Sequence, residues 1–488
     1  MKTWLCIDAG TTHLKLALKS DVGETLSLRS RRLESSVAEG GRSEMDMEAL
    51  WREVREGVQS LAADEECAGA LANLAGIGVC AQGDGLWLLD GAGTPVRPAI
   101  LWNDTRAKEI MERIEPESEA LCAETRTVAQ FAGSNAVLLR WLKEHEPENY
   151  RRGAHALHCK DWLNYRMTGR IAADPTDAGT SLLSRVSGEY DTGMLQLLGI
   201  PEALPLLPEI VPSRSIVGRV RDGALPGVPA GTPVIAGSLD VAAAAEGLGI
   251  RDAGQTLCIL GTTFCVLRMI EDSAMIVRTS GGEEWPRIGS ILYSLSPERS
   301  LRLLASLNGS AVLDWGRRLF GGLEIRRAEE EASRIEPGAN GLCFLPFIFG
   351  ERAPFRDAAA SGSFMGLRAH HERAHMLRAI YEGLAMVVRM CIDSMGSCGT
   401  PEGSEVIVAG GAAGSALFCG ILADLLQRSV VRRDVAEPGI EGVFSLLAGR
   451  APAWSDAVRF EPGHGRRYEP VFDRFRTLLE QRERMNAL

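Results

Sequence analysis

An α/β fold in two domains is what this sequence predicts, and three observations predict it. The segment Cys6-Ile7-Asp8-Ala9-Gly10-Thr11-Thr12-His13-Leu14-Lys15-Leu16-Ala17 recurs in shape about 250 residues later, as Leu257-Cys258-Ile259-Leu260-Gly261-Thr262-Thr263-Phe264-Cys265-Val266-Leu267. Short β-rich runs alternate with helical patterns, which favours an α/β arrangement. At 488 residues the chain exceeds what a single hydrophobic core usually supports, so two domains are expected, 1–248 and 249–488.

Each copy of the repeat reads as apolar strand, Gly-Thr-Thr turn, apolar strand. Met47 to Leu61 has the spacing of an amphipathic helix, and Ile77 to Cys80 and Leu86 to Leu89 read as strands. Helices follow from Val137 to His145 and from Asp161 to Met167, the second stopped at Gly169. Prolines 201, 205, 208 and 212 mark an irregular connection. The strand Val234-Ile235-Ala236 then leads through Gly237-Ser238-Leu239-Asp240 into a small-residue helix, Val241 to Glu246, the expected hinge between domains. After the second Gly-Thr-Thr hairpin come a long helix, Arg373 to Met395, and a strand, Val406 to Ala409. The strand opens through Gly410-Gly411-Ala412-Ala413-Gly414-Ser415 into the helix Ala416 to Gln427. Val471 to Met485 reads as a last amphipathic helix.

Composition narrows the function classes. Acidic residues number 64 against 53 Lys and Arg, a net charge of -11, which opposes nonspecific attraction to nucleic acid or an anionic membrane. No apolar run reaches the length of a membrane span, and Met1-Lys2-Thr3-Trp4-Leu5 passes straight into the first strand without a secretory leader pattern. Eleven cysteines without a Cys-x-x-Cys pair read as reduced core residues. The expectation is a cytoplasmic enzyme.

A glycine-turned hairpin brings backbone N–H groups and threonine hydroxyls against an anion, so two of them suit a triphosphate, although each alone is also an ordinary turn. Neither a Gly-x-x-x-x-Gly-Lys-Ser/Thr loop nor a Gly-x-Gly-x-x-Gly opening a helix is present, so a nucleotide needs some other scaffold. The Gly410 to Ser415 loop offers a close backbone approach and a helix N-terminus, or is a turn packed for its own sake. Asp240, where a strand gives way to a helix, suits either a general base that takes the proton of an attacking hydroxyl or a helix N-cap. Asp8 has the same two readings, and a carboxylate there suits Mg²⁺ held through water. Gln82-Gly83-Asp84-Gly85 joins two strands, as a projection of polar groups or as a plain turn. Trp102-Asn103-Asp104-Thr105-Arg106 mixes a flat apolar surface with amide, carboxylate and guanidinium, the blend that recognises polyhydroxylated ligands, or is a surface turn. His371-Glu372-Arg373-Ala374-His375 matches the zinc-peptidase pattern, but a polar first turn surrounds it where a metal helix needs apolar support.

Taken together these blocks resemble the FGGY carbohydrate kinases, relatives of the actin and heat-shock chaperone ATPase superfamily. Gly362-Ser363-Phe364-Met365-Gly366-Leu367, continued to Glu382-Gly383, is similar to the family's C-terminal signature, as is Pro346 to Pro354 upstream. The resemblance implies two ribonuclease-H-like domains flanking an active-site cleft, sugar held mainly by the first and ATP mainly by the second. It implies that Asp8, Gly10, Thr11, Thr12 and Lys15 form a first phosphate motif, Gly261, Thr262 and Thr263 a second, and Gly410, Gly411 and Ser415 an adenosine motif. Asp240 falls on the catalytic base. Gln82, Gly83, Asp84, Trp102, Asp104 and Arg106 fall on sugar-contact segments, with Mg²⁺ near Asp8 and a homodimer in keeping with the family.

Departures bear on the substrate. Ala81-Gln82-Gly83 stands where D-xylulose kinases carry Met-His-Gly, and Ala81 to Leu88 is similar instead to erythritol kinases and, more loosely, L-xylulose kinases. His158-Cys159-Lys160-Asp161-Trp162-Leu163 also points to erythritol, whereas Leu138 to Pro147 resembles the L-xylulose enzymes. Ala412 replaces a glycine common in the adenosine motif. The expected function is transfer of the γ-phosphate of ATP to a terminal hydroxyl of a short sugar or polyol. The alternative is a sugar-sensing or chaperone-like ATPase on the same fold.

Overall fold

The computed structural model describes residues 2–34, 36–38, 41–272, 277–279, 282–284, 288–296, 298–396, 404–450, 457–463 and 467–486. They form two units, one of Met1–Gly249 with Ile291–Pro297 and Ala436–Ala453, the other of Ile250–Ser290, Glu298–Val435 and Trp454–Leu488. The chain therefore leaves the first unit after Gly249 and comes back to it twice.

The duplicated hairpin seeds a duplicated sheet. In the first unit Thr3–Ala9 and His13–Ser20 pair antiparallel, Thr25–Arg32 extends the meander, and Leu74–Ala81 lies parallel on the other side of Thr3–Ala9. Pro233–Ile235 and Ser238–Leu239 continue parallel to Leu74–Ala81. In the second unit Thr256–Leu260 and Phe264–Glu271 pair antiparallel, Arg299–Ser306 extends the meander, and Val406–Ala409 and then Val430–Arg433 add parallel strands on the far side of Thr256–Leu260. Each central strand is apolar on both faces, as helix-covered strands must be: Leu5, Cys6 and Ile7 in one unit and Leu257 and Cys258 in the other have no exposed surface.

The two turns differ by one residue. Asp8 pairs with Lys15 and the Gly10 N–H bonds the His13 carbonyl, leaving Thr11 and Thr12 at the tip, whereas Leu260 pairs with Phe264 and Thr262 stands alone at the apex.

Met47–Ala62 forms the expected amphipathic helix, capped by Asp46, whose carboxylate accepts the Ala49 N–H at 3.0 Å. Its Leu50, Val54, Val58 and Leu61 enter the core beneath the first sheet. The opposite face is covered from far along the chain. Ile440, Val443 and Phe444 of the helix Pro438–Ala448 pack with Cys6, Ala17, Cys80 and Ala243. This helix also lies against Asp240–Gly247 so closely that a Cβ on Gly442 would stand 1.9 Å from the Ala243 carbonyl oxygen. In the second unit the long helix Arg373–Ser394 contributes Leu377, Leu384, Val388 and Cys391 to a core shared with Val408, Phe418 and Phe475. Ten described cysteines are free thiols, all buried but Cys265, and Cys398 lies outside the described residues. Among the described residues no helix is long and apolar enough to cross a membrane.

Candidate active site

Three parallel strands of the first unit end together. Ala9 and Leu239 each pair with Ala81, so Gly10, Gln82 and Asp240 leave the sheet side by side at its carboxyl edge, where open α/β sheets bind ligands. Hydrogen bonds join the predicted segments there. The Thr11 hydroxyl donates to Gln82 Oε1 at 3.1 Å, and the Trp102 indole N–H donates to Thr11 Oγ1 at 3.1 Å. Gly83 must lack a side chain, because a Cβ would lie 2.2 Å from Leu239 Cδ1. Asp84 follows in the left-handed region at φ 52°, which aspartate tolerates better than most non-glycine residues.

Asp240 is the first residue of its helix rather than the cap, which is Leu239, and its Oδ1 accepts the Val241 N–H at 2.7 Å. Burial, then the negative charge of Asp8, pushes its carboxyl up to about 7, and Asp177 and Asp84 add to the push. Such a group is half-ionised near neutrality, which is what a general base requires. Asp8 is raised as well, by burial, against the pull of Lys15 across the strand pair. The Lys15 ammonium is itself tied to Glu437 at 2.5 Å, and a Cβ on Gly439 would lie 2.6 Å from Asp8 Oδ2. Thr12 is exposed at the turn, its hydroxyl 3.1 Å from His13 Nδ1.

Asp104 and Arg106 serve each other. Asp104 Oδ1 accepts the Arg106 N–H at 2.8 Å and Nε at 2.9 Å, while Oδ2 accepts the Ser43 N–H at 2.6 Å and Arg106 Nη2 at 2.8 Å. Four bonds occupy the roughly four acceptor positions of a carboxylate, and Asp104 is only 1 % exposed. The pair holds the loop beneath Trp102, which presents 39 % of its surface.

The second unit repeats the arrangement. Ile259 pairs with Ala409, so the Gly261 turn and the Gly410 loop share one sheet edge, with Thr262 and Thr263 exposed. Gly410 has φ 92° and lies so near Leu260 that a Cβ would be 2.7 Å from its carbonyl oxygen, whereas a Cβ on Gly411 would meet nothing within 4 Å. Ser415 caps the helix Ala416–Leu426, its Oγ accepting the Phe418 N–H at 3.1 Å. Sequence reasoning missed a second helix start at this edge. Ser310 and Ala311 donate their N–H groups to the Gly261 and Thr262 carbonyls, and Gly309 fits against the turn because a Cβ would come within 2.4 Å of Thr263.

A larger omission lies behind Asp240. Lys160 is wholly buried, its ammonium 2.5 Å from Asp161, 3.3 Å from Asp174 and 3.2 Å from Asp177. Burial alone would strip the proton from such a lysine, but the three carboxylates outweigh it and raise the pKa well above the ordinary value. Asp161 is held low, against its burial, by Lys160 and His158, while Asp177 rises to about 6. Asp174 caps the short helix Pro175–Ala178, and the Thr176 hydroxyl there accepts the Leu239 N–H at 2.8 Å, fixing the residue before Asp240. The run Asp174-Pro175-Thr176-Asp177 carried a readable signal, a cap residue followed by proline at the first helical position. His158, Asp161 and Asp177 are spaced as metal ligands would be, but the Lys160 ammonium already stands between the two carboxylates.

Of the zinc-like histidines, His375 caps a helix start and His371 closes the turn that precedes it. His371 Nδ1 accepts the Arg368 N–H at 2.9 Å and His375 Nδ1 the Glu372 N–H at 3.1 Å, while the helix begins only at Arg373. The two rings therefore do not face one metal from successive helical turns.

Comparison with known proteins bears on the class of this site. The N-terminal domain of the FGGY family of carbohydrate kinases matches residues 3–247, and its C-terminal domain matches residues 257–451. The L-xylulose/3-keto-L-gulonate kinase of Escherichia coli (strain K12) is 31% identical over 455 residues, covering 92% of this chain and 87% of that protein. The crystal structure of xylulose kinase from Rhodospirillum rubrum superposes with a TM-score of 0.88 at 24% identity, covering 100% of both chains. Plasmodium falciparum glycerol kinase with ADP superposes with a TM-score of 0.84 at 20% identity, covering 99% of this chain and 98% of that one. The molecule is an ATP-dependent phosphotransferase acting on a sugar hydroxyl. The chain belongs to the FGGY family of carbohydrate kinases, whose ribonuclease-H-like fold both of its units carry.

Proposed function

We propose that the chain phosphorylates a terminal hydroxyl of a short open-chain sugar or polyol, a pentulose such as xylulose or a tetritol such as erythritol, with Asp240 as the base. One observation carries this reading: Asp240, held near neutrality by burial and by Asp8, stands at the same sheet edge as the polar Gln82–Asp84 loop. In the reaction Asp240 takes the proton of the attacking hydroxyl, the new O–P bond forms, and the bond from the γ-phosphorus to the bridging oxygen of ADP breaks.

Gly10, Thr11, Thr12 and Lys15 in the first unit and Gly261, Thr262 and Thr263 in the second take the phosphates, while Gly410, Gly411 and Ser415 take the adenosine. On this proposal residues 1–248 are the sugar-binding part and 249–488 the nucleotide-binding part, with Ala436–Ala453 packed on the first. Gln82, Gly83, Asp84 and Trp102 line the sugar, and Asp104 and Arg106 act on it by fixing the Trp102 loop. Mg²⁺ fits the residues present: Asp8 and Asp240 offer the oxygen donors it takes, and Asp8 already raises the proton affinity of Asp240, a repulsion that a cation relieves. Asp8 would hold it through water, and the ion would neutralise charge on the phosphates. A cytoplasmic homodimer completes the proposal, with light scattering as the measure of its mass.

The test is ADP release over erythritol, glycerol, L-xylulose, D-xylulose, D-ribulose and ribitol, with mass detection of the product and an Asp240→Asn control. A sharp response to one compound, lost by roughly 10²- to 10⁴-fold in the variant, is expected. Wild-type turnover in Asp240→Asn would remove Asp240 as the base, and substrate-independent hydrolysis would favour the ATPase alternative.

A further inference from the structure

Buried polar atoms without hydrogen-bond partners concentrate behind Asp240. Gln82 Nε2, Asp84 Oδ1, both ring nitrogens of His158 and both carboxylate oxygens of Asp177 have none. Two of these atoms have weaker company, His158 Nδ1 at 3.4 Å from Asp161 and Asp177 Oδ2 at 3.2 Å from Lys160, which leaves Gln82 Nε2, Asp84 Oδ1, His158 Nε2 and Asp177 Oδ1. His158 is 6 % exposed and Asp177 wholly buried, so water does not freely satisfy them. Orphaned groups this deep are costly, more so when charged, and a ligand group that completes them recovers that cost.

These atoms belong together. Gly83 brings the Gln82–Asp84 loop onto Asp177, since a Cβ there would lie 3.3 Å from Asp177 Oδ1. Asp84 interacts electrostatically with His158 and Asp177, and Asp240 with Asp84 and Asp177. The group is rich in acceptors and poor in donors: three carboxylates, Asp84, Asp177 and Asp240, face one imidazole and one amide. A hydroxyl satisfies such a set, because its O–H donates to a carboxylate while its oxygen accepts from His158 or Gln82. A substrate carboxylate does the opposite. It offers only acceptors, and its charge adds to the repulsion that, with burial, already pushes Asp84 and Asp240 up to about 7 and Asp177 to about 6.

Resting on the kinase reading of the same site, we infer that His158 and Asp177, acting with Asp84, bind the substrate hydroxyls remote from the phosphorylated end and select a neutral polyol or ketose over a sugar acid. Lys160 keeps Asp177 in place from below and does not reach the sugar, since its ammonium is engaged by three carboxylates. The inference sets this chain apart from its Escherichia coli relative, whose name includes a keto-acid substrate.

The experiment compares the neutral compounds of the ADP-release panel, single-deoxy analogues of the best of them, and the aldonate of equal length. Wild type, His158→Leu, His158→Gln and Asp177→Asn are assayed. Wild type is expected to prefer the neutral compound to the aldonate by at least 100-fold. His158→Leu and Asp177→Asn should raise KM roughly 10- to 100-fold with kcat changed less than about threefold, and His158→Gln should recover part of the loss. A direct contact also predicts coupling: the deoxy analogue lacking the hydroxyl that is read should bind wild type and variant equally, which a merely structural role would not produce. Equal use of the aldonate, an unchanged KM in His158→Leu, or no coupling with any deoxy analogue would overturn the inference while leaving the kinase intact. Absence of any sugar-dependent ADP release in wild type would overturn both. Should Asp177→Asn fail to fold, the His158 variants and the wild-type comparison decide.

Discussion

At the scale of single residues, Asp240 joins two demands that pull against each other. Catalysis needs its carboxylate ionised, while burial and Asp8 favour the proton, and the balance lies at about 7. kcat/KM is therefore expected to fall about tenfold per pH unit below 7 and to level off above it, as a pH–rate profile would show. Stability runs the other way. The folded state keeps a proton that the unfolded chain releases above its ordinary value of 3.8, so ionising Asp240 costs stability progressively between 3.8 and about 7, and the full cost is present above that window. Asp240→Asn removes the charge. Its melting temperature should exceed that of the wild type at pH 8, by about 2–4 °C for each kcal/mol relieved, and the gap should close towards pH 4. An enzyme that gained no stability at pH 8 from this change would show that Asp240 is better solvated than its surroundings indicate. The sequence displayed Asp240 by its place between strand and helix, but nothing in the string Gly237-Ser238-Leu239-Asp240 foretold the carboxylates of Asp84 and Asp177 beside it. Those effects come from chain segments more than 60 residues apart, and an aspartate's pKa is set by its neighbours in space.

Elements show the same division between what is local and what is distant. The hairpins and the amphipathic helix Met47–Ala62 were legible because strand alternation, a glycine turn and helical spacing are local patterns. The glycines of Pro438–Ala448 were not. By local propensity Gly442, inside a helix, is worse than alanine by about 0.5–1 kcal/mol. Only the crossing with Asp240–Gly247 explains it, since an added Cβ would meet the Ala243 carbonyl oxygen. Gly442→Ala is expected to destabilise the protein by about 1–3 kcal/mol or more despite its better propensity, and to lower kcat by shifting the helix that begins with Asp240. Thermal melting and turnover of the one variant measure both. The histidine pair at 371 and 375 teaches the converse: a short motif matched in letters, while the structure uses one ring to close a turn and the other to cap the helix start after it.

For the whole molecule, the internal repeat predicted two similar halves, and two sheets of matching strand order are present. The path of the chain between them was not readable, because the return of Ala436–Ala453 to the first unit depends on packing between residues about 200 to more than 400 positions apart. A chain ending at Gly249 lacks Ile440, Val443 and Phe444, and so exposes Cys6, Ala17, Cys80 and Ala243. It is expected to melt without cooperativity or to aggregate. The same fragment with 436–453 joined by a short linker should regain a cooperative transition in circular dichroism. A sharp melt from the bare fragment would show that the returning helix is dispensable.

That returning helix also sets a timetable for synthesis. A ribosome adds about 5–20 residues per second, so the first unit, though its own sheet is complete by Leu239, waits some 10–40 seconds before the helix that covers its second face emerges. During that interval a nascent sheet with one bare apolar face is tethered to the ribosome, and the burden of keeping it from its neighbours falls on the speed of translation and on whatever shields emerging chains.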